Sequence, residues 1–340
     1  MLNTLYITTP ESYLSLEGET VLIRRDEETV ARLPLHNFEA IVTFGYTGAS
    51  PALMGACAKH NISLCFLTSS GRFLARIVGE SHGNVTLRRE QYRVSDSKEK
   101  SCLLAKNFII GKVYNAKWIL ERAVRDHEMR LDVQRLKQVS AMLSQILDSV
   151  NWCCDLEQLR GLEGNAASLY FRELDNLILQ QKEDFTFQER SKRPPTDNVN
   201  ALLSFMYTIL ANDCASALET AGLDAYVGFL HRDRPGRISL ALDLMEELRG
   251  LMVDRFVITL INKRVINAKG FIKRENGAVI MDDDTRKTVL KAWQEKKKET
   301  ITHPFLKEKI EWGLVPFVQS MLLARYLRGD LDGYPPFLWK

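Results

Sequence analysis

Two glutamates and a histidine stand in contexts that suit a metal-dependent reaction at phosphate. Glu163 lies between two glycines and is followed by small residues that would let another backbone approach. His231 ends an apolar run and precedes a loop rich in arginine, and Glu246 lies in an amphipathic stretch, 239–249. Carboxylates with one imidazole can bind a divalent ion, and such an ion can act on a nucleic-acid phosphate.

Each of these residues also has a purely structural explanation. His231 could be a buried, hydrogen-bonded histidine, and Glu163 could be an acid near a helix start, which the helix dipole favours. Gly161 and Gly164 weigh against the second explanation. Glycine inside a helix costs about 1 kcal/mol, so it is expected there only where something must come close. Residue types alone leave the question open.

A second acid shares a helix face with Glu246. Asp243 precedes it by three residues, and this spacing places both side chains on one face, beside three leucines of the apolar stripe. Exposed helix charges usually have no special role, so the pair alone is weak support for a site. Glu247 points elsewhere, and we expect it to be a solvated charge.

The charge distribution indicates two basic surfaces, although the formal net charge is only +3. Residues 231–274 hold ten Lys and Arg against five acids, and residues 88–137 have a basic excess of six. Phosphate backbones bind such surfaces. Solvated helix faces explain them equally well.

Arginines near the candidate site are expected to contact flanking DNA phosphates, which guanidinium groups match in geometry. The alternative is that these arginines lie in an ordinary solvated loop. For Arg193, which precedes the Pro-Pro pair, the alternative is a simple connection between two helices. The candidates are Arg232, Arg234, Arg237, Arg249 and Arg193.

Composition predicts a soluble, cytoplasmic protein with reduced, buried thiols. The six cysteines form no C-x-x-C pair, and the adjacent Cys153 and Cys154 cannot readily bridge each other. The N-terminus has no signal-peptide pattern, and no run reaches the roughly 18 apolar residues of a membrane span.

The hydrophobic period predicts an α+β multidomain fold. Residues 1–83 are expected to form a small β-rich domain and residues 84–340 a larger all-α domain. Ser50 and Pro51 predict the start of a short helix within the first domain. A hairpin is predicted to turn at Glu275-Asn276-Gly277. Helices are predicted at 96–126, 128–150, 154–181, 197–220, 239–266, 282–299, 304–311 and 314–328.

Four segments, in this order, give the chain its resemblance to a known family. They are Gly161–Tyr170, Arg193–Phe205, Gly228–His231 and Ser239–Arg249. The chain resembles the CRISPR-associated integrase of spacer acquisition, a metal-dependent DNA endonuclease, and is nearest to its type I-C branch. The resemblance extends over nearly the whole length and agrees with the predicted domain order.

The resemblance implies a function and a set of site residues. Glu163, His231 and Glu246 would bind Mg²⁺ or Mn²⁺, and Asp243 would be a supporting catalytic acid. Many relatives carry Asp where this chain has Glu246. The protein would insert short foreign DNA duplexes into a CRISPR array by transesterification, as part of antiviral defence.

The resemblance also implies partners. These are double-stranded DNA (the prespacer and the CRISPR repeat), a second copy of the chain joined through the β-rich domain, and the small ferredoxin-like second acquisition protein. No membrane is expected among them. The competing hypothesis is a helical nucleic-acid-binding scaffold without catalysis, in which the acids are structural. Metal binding discriminates the two.

Overall fold

A computed structural model of the chain describes residues 2–26, 28–69, 71–79 and 85–340. The described residues fall into two compact units. One consists of those within Met1–Gly83, together with Met281–Thr300 and Glu311–Leu314. The other consists of those within Asn84–Ile280, together with Ile301–Ile310 and Val315–Lys340.

The first unit is built around two four-stranded sheets. Their strands are β1 (Thr4–Ile7), β2 (Tyr13–Glu17), β3 (Thr20–Arg25), β4 (Glu28–Pro34), β5 (Ala40–Phe44), β6 (Gly48–Ala49), β7 (Ser63–Leu67) and β8 (Phe73–Ile77). One sheet has the order β1-β5-β7-β8, with parallel pairing of β5 to both β1 and β7. The other has the order β4-β3-β2-β6, with antiparallel pairing among its first three strands.

Helix α1 (Pro51–Lys59) follows β6 and begins as the sequence predicts. The Ser50 hydroxyl accepts a hydrogen bond from the Leu53 amide, and Pro51 occupies the first helical position. The apolar side chains of α1 and of both sheets form one buried cluster, which includes Leu14, Ile41 and Leu53. The β-rich first part of the predicted fold is thereby confirmed.

Most of the remaining chain is helical. The further helices are α2 (Val85–Asp96), α3 (Lys98–His127), α4 (Val133–Trp152), α5 (Leu156–Arg172), α6 (Asn198–Thr220), α7 (Ser239–Arg249), α8 (Arg255–Asn262), α9 (Asp283–Lys297) and α10 (Val315–Leu327). A π-helical turn, Gly250–Asp254, joins α7 to α8. The short strands are β9 (Phe271–Lys273), β10 (Val279–Met281), β11 (Thr300–Thr302) and β12 (Lys309–Glu311). The predicted α+β class is confirmed.

Helix α6 is both long and apolar. It is long and apolar enough to cross a membrane by length and composition, but 83% of its apolar window is buried inside the protein. It packs against α7 and α10 in the second unit. It therefore has the character of the core helix of a soluble protein.

Three predicted elements fared differently. The hairpin of β9 and β10 forms as predicted, with Gly277 in the left-handed region at φ +78°. The predicted helix 304–311 is wrong, because its last three residues form β12, which pairs with the preceding strand β11. The connecting turn closes through His303, whose ring Nδ1 accepts from two following amides, and through Lys307 at φ +61°. Helix α5 ends at Arg172, nine residues before the predicted end.

Helix α9 belongs to the first unit, whereas the linear division at 83/84 places it in the helical domain. The Lys297 ammonium lies 3.0 Å from the Thr4 hydroxyl, and the Arg286 guanidinium lies 5.9 Å from the Phe44 ring centroid. A helix that returns to an earlier domain leaves no mark in local periodicity. The prediction therefore differs here from the structure.

Candidate active site

Helix α7 carries three acids, and all three are buried. Asp243, Glu246 and Glu247 have relative exposures of 0%, 6% and 0%. A buried carboxylate is costly unless it is paired with a cation or hydrogen-bonded. The surroundings of each acid therefore indicate what it does.

Helices α3 and α7 approach each other closely at Gly111. A Cβ atom at this glycine would lie 2.6 Å from the Cβ of Glu247, which no side chain permits. Glycine in the middle of a 30-residue helix costs stability, and the close contact explains its presence. The same contact brings Lys112, which follows Gly111 on α3, against Glu246, which precedes Glu247 on α7.

Lys112 joins the two candidate metal-binding glutamates. Its ammonium lies 2.6 Å from a carboxylate oxygen of Glu246 and also makes a direct ion pair with Glu163 of helix α5. The Asp155 carboxylate caps the start of α5 and fixes its register. Glu163 and Glu246 are 83 positions apart in sequence, and both contact the Lys112 ammonium.

The charge of Glu246 is strongly stabilised. Burial by itself would raise its pKa, but the ammonium of Lys112, then Arg249 and then His231, outweigh burial and lower the pKa of Glu246 to about 2. The carboxyl is therefore ionised at neutral pH. His231 contributes because it lies within electrostatic range of this carboxylate.

Asp243 orients His231. One carboxylate oxygen lies 2.6 Å from the His231 Nδ1, and the carboxylate accepts backbone hydrogen bonds from Phe229, Leu230 and His231 at 2.6–3.0 Å. An ionised carboxylate only accepts, so Nδ1 carries the proton and Nε2 keeps its lone pair. A Cβ at Gly228 would lie 2.9 Å from Asp243, so only glycine allows this turn.

Arg160 of helix α5 holds the same segment from another side. Its guanidinium donates two hydrogen bonds, of 2.9 and 2.6 Å, to the Leu230 carbonyl. Helix α5 therefore provides Glu163 and also fixes the backbone next to His231. The two candidate ligands share a support, although 68 positions separate them.

A buried aromatic and cationic cluster adjoins Glu246. The Arg249 guanidinium lies 3.4 Å from Glu246 and 4.3 Å from the ring centroid of Tyr207. The Tyr207 hydroxyl donates to Asp254, which lies in the π-helical turn after α7. Arg249 is held inside the protein in this way, which the sequence-based expectation of a DNA contact did not anticipate.

The expectation that Glu247 is solvated is wrong. Its carboxylate accepts hydrogen bonds from the Phe337 amide at 2.8 Å, from the Gln319 side chain at 3.1 Å and from the Tyr334 hydroxyl. Burial raises the pKa of Glu247 to about 7, and these hydrogen bonds only partly oppose the rise. Glu247 therefore fastens the C-terminal segment to α7.

Comparisons with known proteins identify the family of the chain. Residues 5–295 match the family model described as CRISPR associated protein Cas1. A curated relative from Chlorobaculum tepidum, "CRISPR-associated endonuclease Cas1 1", is 49% identical over 339 residues, which cover 100% of this chain and 99% of the relative. Another, "CRISPR-associated endonuclease Cas1 2" from Rhodospirillum rubrum, is 50% identical with the same coverage. The chain belongs to the Cas1 family.

Solved structures share the Cas1 fold at lower identity. A casposase bound to an integration product has a TM-score of 0.84 at 22% identity, with 99% of this chain and 94% of the other covered. The complex titled "Cas6-RT-Cas1--Cas2" contains a chain with a TM-score of 0.82 at 21% identity, of which 36% is covered. These likenesses show that the fold is retained over nearly the whole Cas1-family chain.

The donor set of this Cas1-family chain suits a divalent cation. Glu163 and Glu246 already converge on one positive charge, and the oriented Nε2 of His231 is the nitrogen left for a ligand. Two carboxylates suit either Mg²⁺ or Mn²⁺, and the imidazole favours Mn²⁺, which accepts nitrogen ligands more readily. Within the ranges that the structure describes, no three His, Cys, Asp or Glu side chains form a ready-made metal group. Lys112 contacts both glutamates instead.

Five arginines were predicted to contact DNA, and the structure places four on or near the surface. Arg232 is exposed and pairs with Glu157, Arg234 and Arg193 are exposed, and Arg237 is half-buried. Burial, and then the neighbouring Arg234, lower the pKa of Arg237. Arg249 is the exception described above.

Sequence reasoning missed Lys112 and Arg160. The one available signal for Lys112 was Gly111, a glycine inside a strongly helical apolar run. Gly161 and Gly164 were expected to admit another backbone, but a Cβ at either would meet no described atom within 4 Å. Both glycines are exposed, so the space beside Glu163 is open to solvent.

Proposed function

We propose that this chain is a divalent-metal-dependent DNA endonuclease and integrase. It inserts short foreign DNA duplexes into a CRISPR array by transesterification, in the cytoplasm, as part of antiviral defence. The observation that carries this proposal is that Glu163 and Glu246 both contact the ammonium of Lys112. They lie beside His231, which Asp243 orients. A relative called an endonuclease, at 49% identity over the whole chain, supports the same activity.

The residues of the chain divide the chemical work. Glu163, Glu246 and His231 would hold Mg²⁺ or Mn²⁺, which when bound polarises the scissile phosphate and favours ionisation of the attacking oxygen, a DNA 3′-hydroxyl or water. Asp243 keeps the proton at Nδ1 of His231, so that Nε2 stays an electron-pair donor. Arg249 and Lys112 place positive charge beside Glu246 and keep it ionised.

The surface around Glu163 suits a DNA backbone. Gly161 and Gly164 leave open space on the exposed face of α5, so a phosphate chain can approach without meeting side chains. The exposed Arg234, Arg193 and Arg232 and the half-buried Arg237 supply guanidinium groups for flanking phosphates. Arg232 would exchange its pairing with Glu157 for a phosphate.

The proposed assembly is a homodimer formed through the β-rich unit, together with the small ferredoxin-like second acquisition protein. A solved complex that pairs Cas1 with Cas2 contains a chain of this fold, which supports such a partner. The type I-C branch stays a prediction from the sequence.

The test is strand transfer of a labelled duplex into a plasmid that bears the CRISPR repeat, with Mn²⁺, and with and without the second acquisition protein. His231→Ala should retain less than about a tenth of the activity, a loss of more than about 1.4 kcal/mol in barrier stabilisation. Its affinity for duplex DNA should change little, because the surface arginines remain. Glu275→Gln, at the exposed hairpin turn, is the control.

The same assay decides between catalysis and a scaffold role. A scaffold would bind duplex DNA but would show no metal-dependent strand transfer. Calorimetry with Mn²⁺ on wild type and Glu163→Ala adds a second readout. Equal Mn²⁺ affinity of the two proteins would show that Glu163 is not a metal ligand. Full activity of the His231→Ala protein would make His231 a structural residue.

A further inference from the structure

The proposed mechanism uses the Lys112 charge beside Glu246, but it does not explain why the same ammonium also contacts Glu163. The Lys112 side chain is 10% exposed, and its ammonium contacts both carboxylates that would bind the metal. Of its partners, the Glu246 side chain is 7% exposed and the Glu163 side chain is 26% exposed. An ammonium so placed has direct ionic contacts on two sides and little access to water.

The arrangement is fixed by packing and does not depend on a flexible surface side chain. Gly111 brings the backbone of α3 against α7, and the Cβ that it lacks would clash with Glu247. Asn115, one turn further along α3, donates a 2.8 Å hydrogen bond to the Glu247 carbonyl. Lys112, between these two contacts, is therefore held in register with Glu246.

Removing the ammonium would leave two carboxylates facing each other. Like charges at short range in a partly buried site repel strongly, and a buried charge without a partner is costly. Arg249 would still touch Glu246, at 3.4 Å, but Glu163 has no such second cation among the contacts described for it. Lys112 is thus the element that keeps the two acids together.

We propose that Lys112 is an internal counter-ion, which holds Glu163 and Glu246 in place in the metal-free protein and is displaced when a divalent cation binds. The proposal rests on the proposed function of this site. Lys112 is a positioning residue in this scheme. Its ammonium competes with the metal for the same oxygens, so metal affinity is lower than the ligands alone would give.

The first experiment measures Mn²⁺ affinity by calorimetry on the full-length protein. Lys112→Met removes the competing charge and should bind Mn²⁺ at least about tenfold more tightly than wild type, which is about 1.4 kcal/mol. Lys112→Arg keeps the charge and should stay near wild type. Lys98→Met, an exposed lysine on the same helix, is the control and should also match wild type.

Thermal unfolding gives a second readout on the same proteins. Without metal, Lys112→Met should unfold at a lower temperature than wild type, because its two glutamates repel each other. At the same Mn²⁺ concentration this variant should be stabilised more than wild type, since stabilisation by a ligand of the folded state grows with the logarithm of its affinity. Unchanged or weaker Mn²⁺ binding by a folded Lys112→Met protein would overturn the proposal.

Amine labelling of wild type tests the idea without any variant. Lys112 should be protected from an amine-acylating reagent in the metal-free protein and should become reactive with Mn²⁺, whereas Lys98 should react equally in both states. Equal labelling of Lys112 with and without bound Mn²⁺ contradicts displacement. If wild type binds no Mn²⁺ at all, the proposed metal site fails together with this inference. A wild type that binds Mn²⁺ without these effects overturns the Lys112 proposal alone.

Discussion

The two faces of helix α7 hold adjacent glutamates in opposite electrostatic environments. Glu246 faces the Lys112 ammonium and the Arg249 guanidinium, which outweigh burial and lower its pKa to about 2. Glu247 faces neutral hydrogen-bond donors, and burial raises its pKa to about 7. Both side chains are buried, so the difference comes from whether burial is accompanied by full positive charges.

This difference separates a site from a structural support. A carboxylate that is paired with protein cations can exchange this pairing for one with a metal ion. A carboxylate that accepts hydrogen bonds from a side-chain amide, a hydroxyl and a backbone N–H holds a chain segment in place. Gly111 serves both faces, because it lets α3 approach α7 closely enough to contact each glutamate.

The C-terminal segment shows what the structural face holds. Asn115 of α3 donates a hydrogen bond of 2.7 Å to the Phe337 carbonyl and accepts one of 3.1 Å from the Trp339 amide. Glu247 accepts from the Phe337 amide between them. The C-terminal segment is therefore folded back against α3 and α7.

The largest effect should follow loss of the charge at Glu246. Glu246→Gln keeps the shape and one acceptor oxygen, but metal affinity and strand transfer should both fall at least about a hundredfold, since a direct ligand is neutralised. Metal titration and the integration assay, run beside Glu275→Gln, measure this. A fully active Glu246→Gln protein would move the site away from this face.

A smaller loss should follow at Asp243, which acts through His231. Asp243→Asn keeps a polar group near Nδ1 but loses the carboxylate that fixes the tautomer, so metal affinity or activity should fall about 10- to 100-fold. Metal binding should remain measurable, in contrast to Glu246→Gln. Calorimetry of the two variants side by side gives the ranking. Equal losses would make Asp243 a direct ligand.

On the other face, Glu247→Ala should affect stability and leave the chemistry intact. The Tyr334 hydroxyl and the Phe337 amide would lose a buried acceptor, at a cost of about 1–3 kcal/mol for each unsatisfied group. Denaturant unfolding measures the loss, and Mn²⁺ affinity of the folded variant should stay near wild type. A stable Glu247→Ala protein with weakened metal binding would reverse the roles of the two faces.

The fold was largely predictable because local signals are strong in this chain. The hydrophobic period predicted the β-rich character of residues 1–83, and Ser50-Pro51 located the start of α1. The error at 304–311 arose where a histidine side chain, which local periodicity does not register, closes a turn around Lys307. The return of α9 to the first unit is a long-range packing preference that no local pattern records.

The candidate site was predictable only in part. Spacing put Asp243 and Glu246 on one face, but it could not show that Glu247 is buried too, because α7 is enclosed on more than one side. Lys112 lies 51 residues before Glu163, and nothing in its neighbourhood except Gly111 indicates a contact with two acids. The arginine loop after His231 was visible in the sequence as a charge pattern. The internal position of Arg249 was not, because it depends on packing against Tyr207 of α6.

The smallest effect should come from the exposed arginines, which act through charge alone. If Arg234 and Arg237 follow the DNA backbone, log affinity for a duplex should fall linearly with log salt, and each lost phosphate contact should reduce the slope by about 1. Replacing both with Glu should therefore flatten the slope, while the metal face with Glu246 stays intact and Mn²⁺ affinity is unchanged. Arg25→Glu, an exposed charge reversal on β3, is the control and should leave the slope as in wild type. Duplex binding across a salt series measures all three proteins, and an unchanged slope in the double variant would place the DNA path on another surface, such as the basic stretch 88–137.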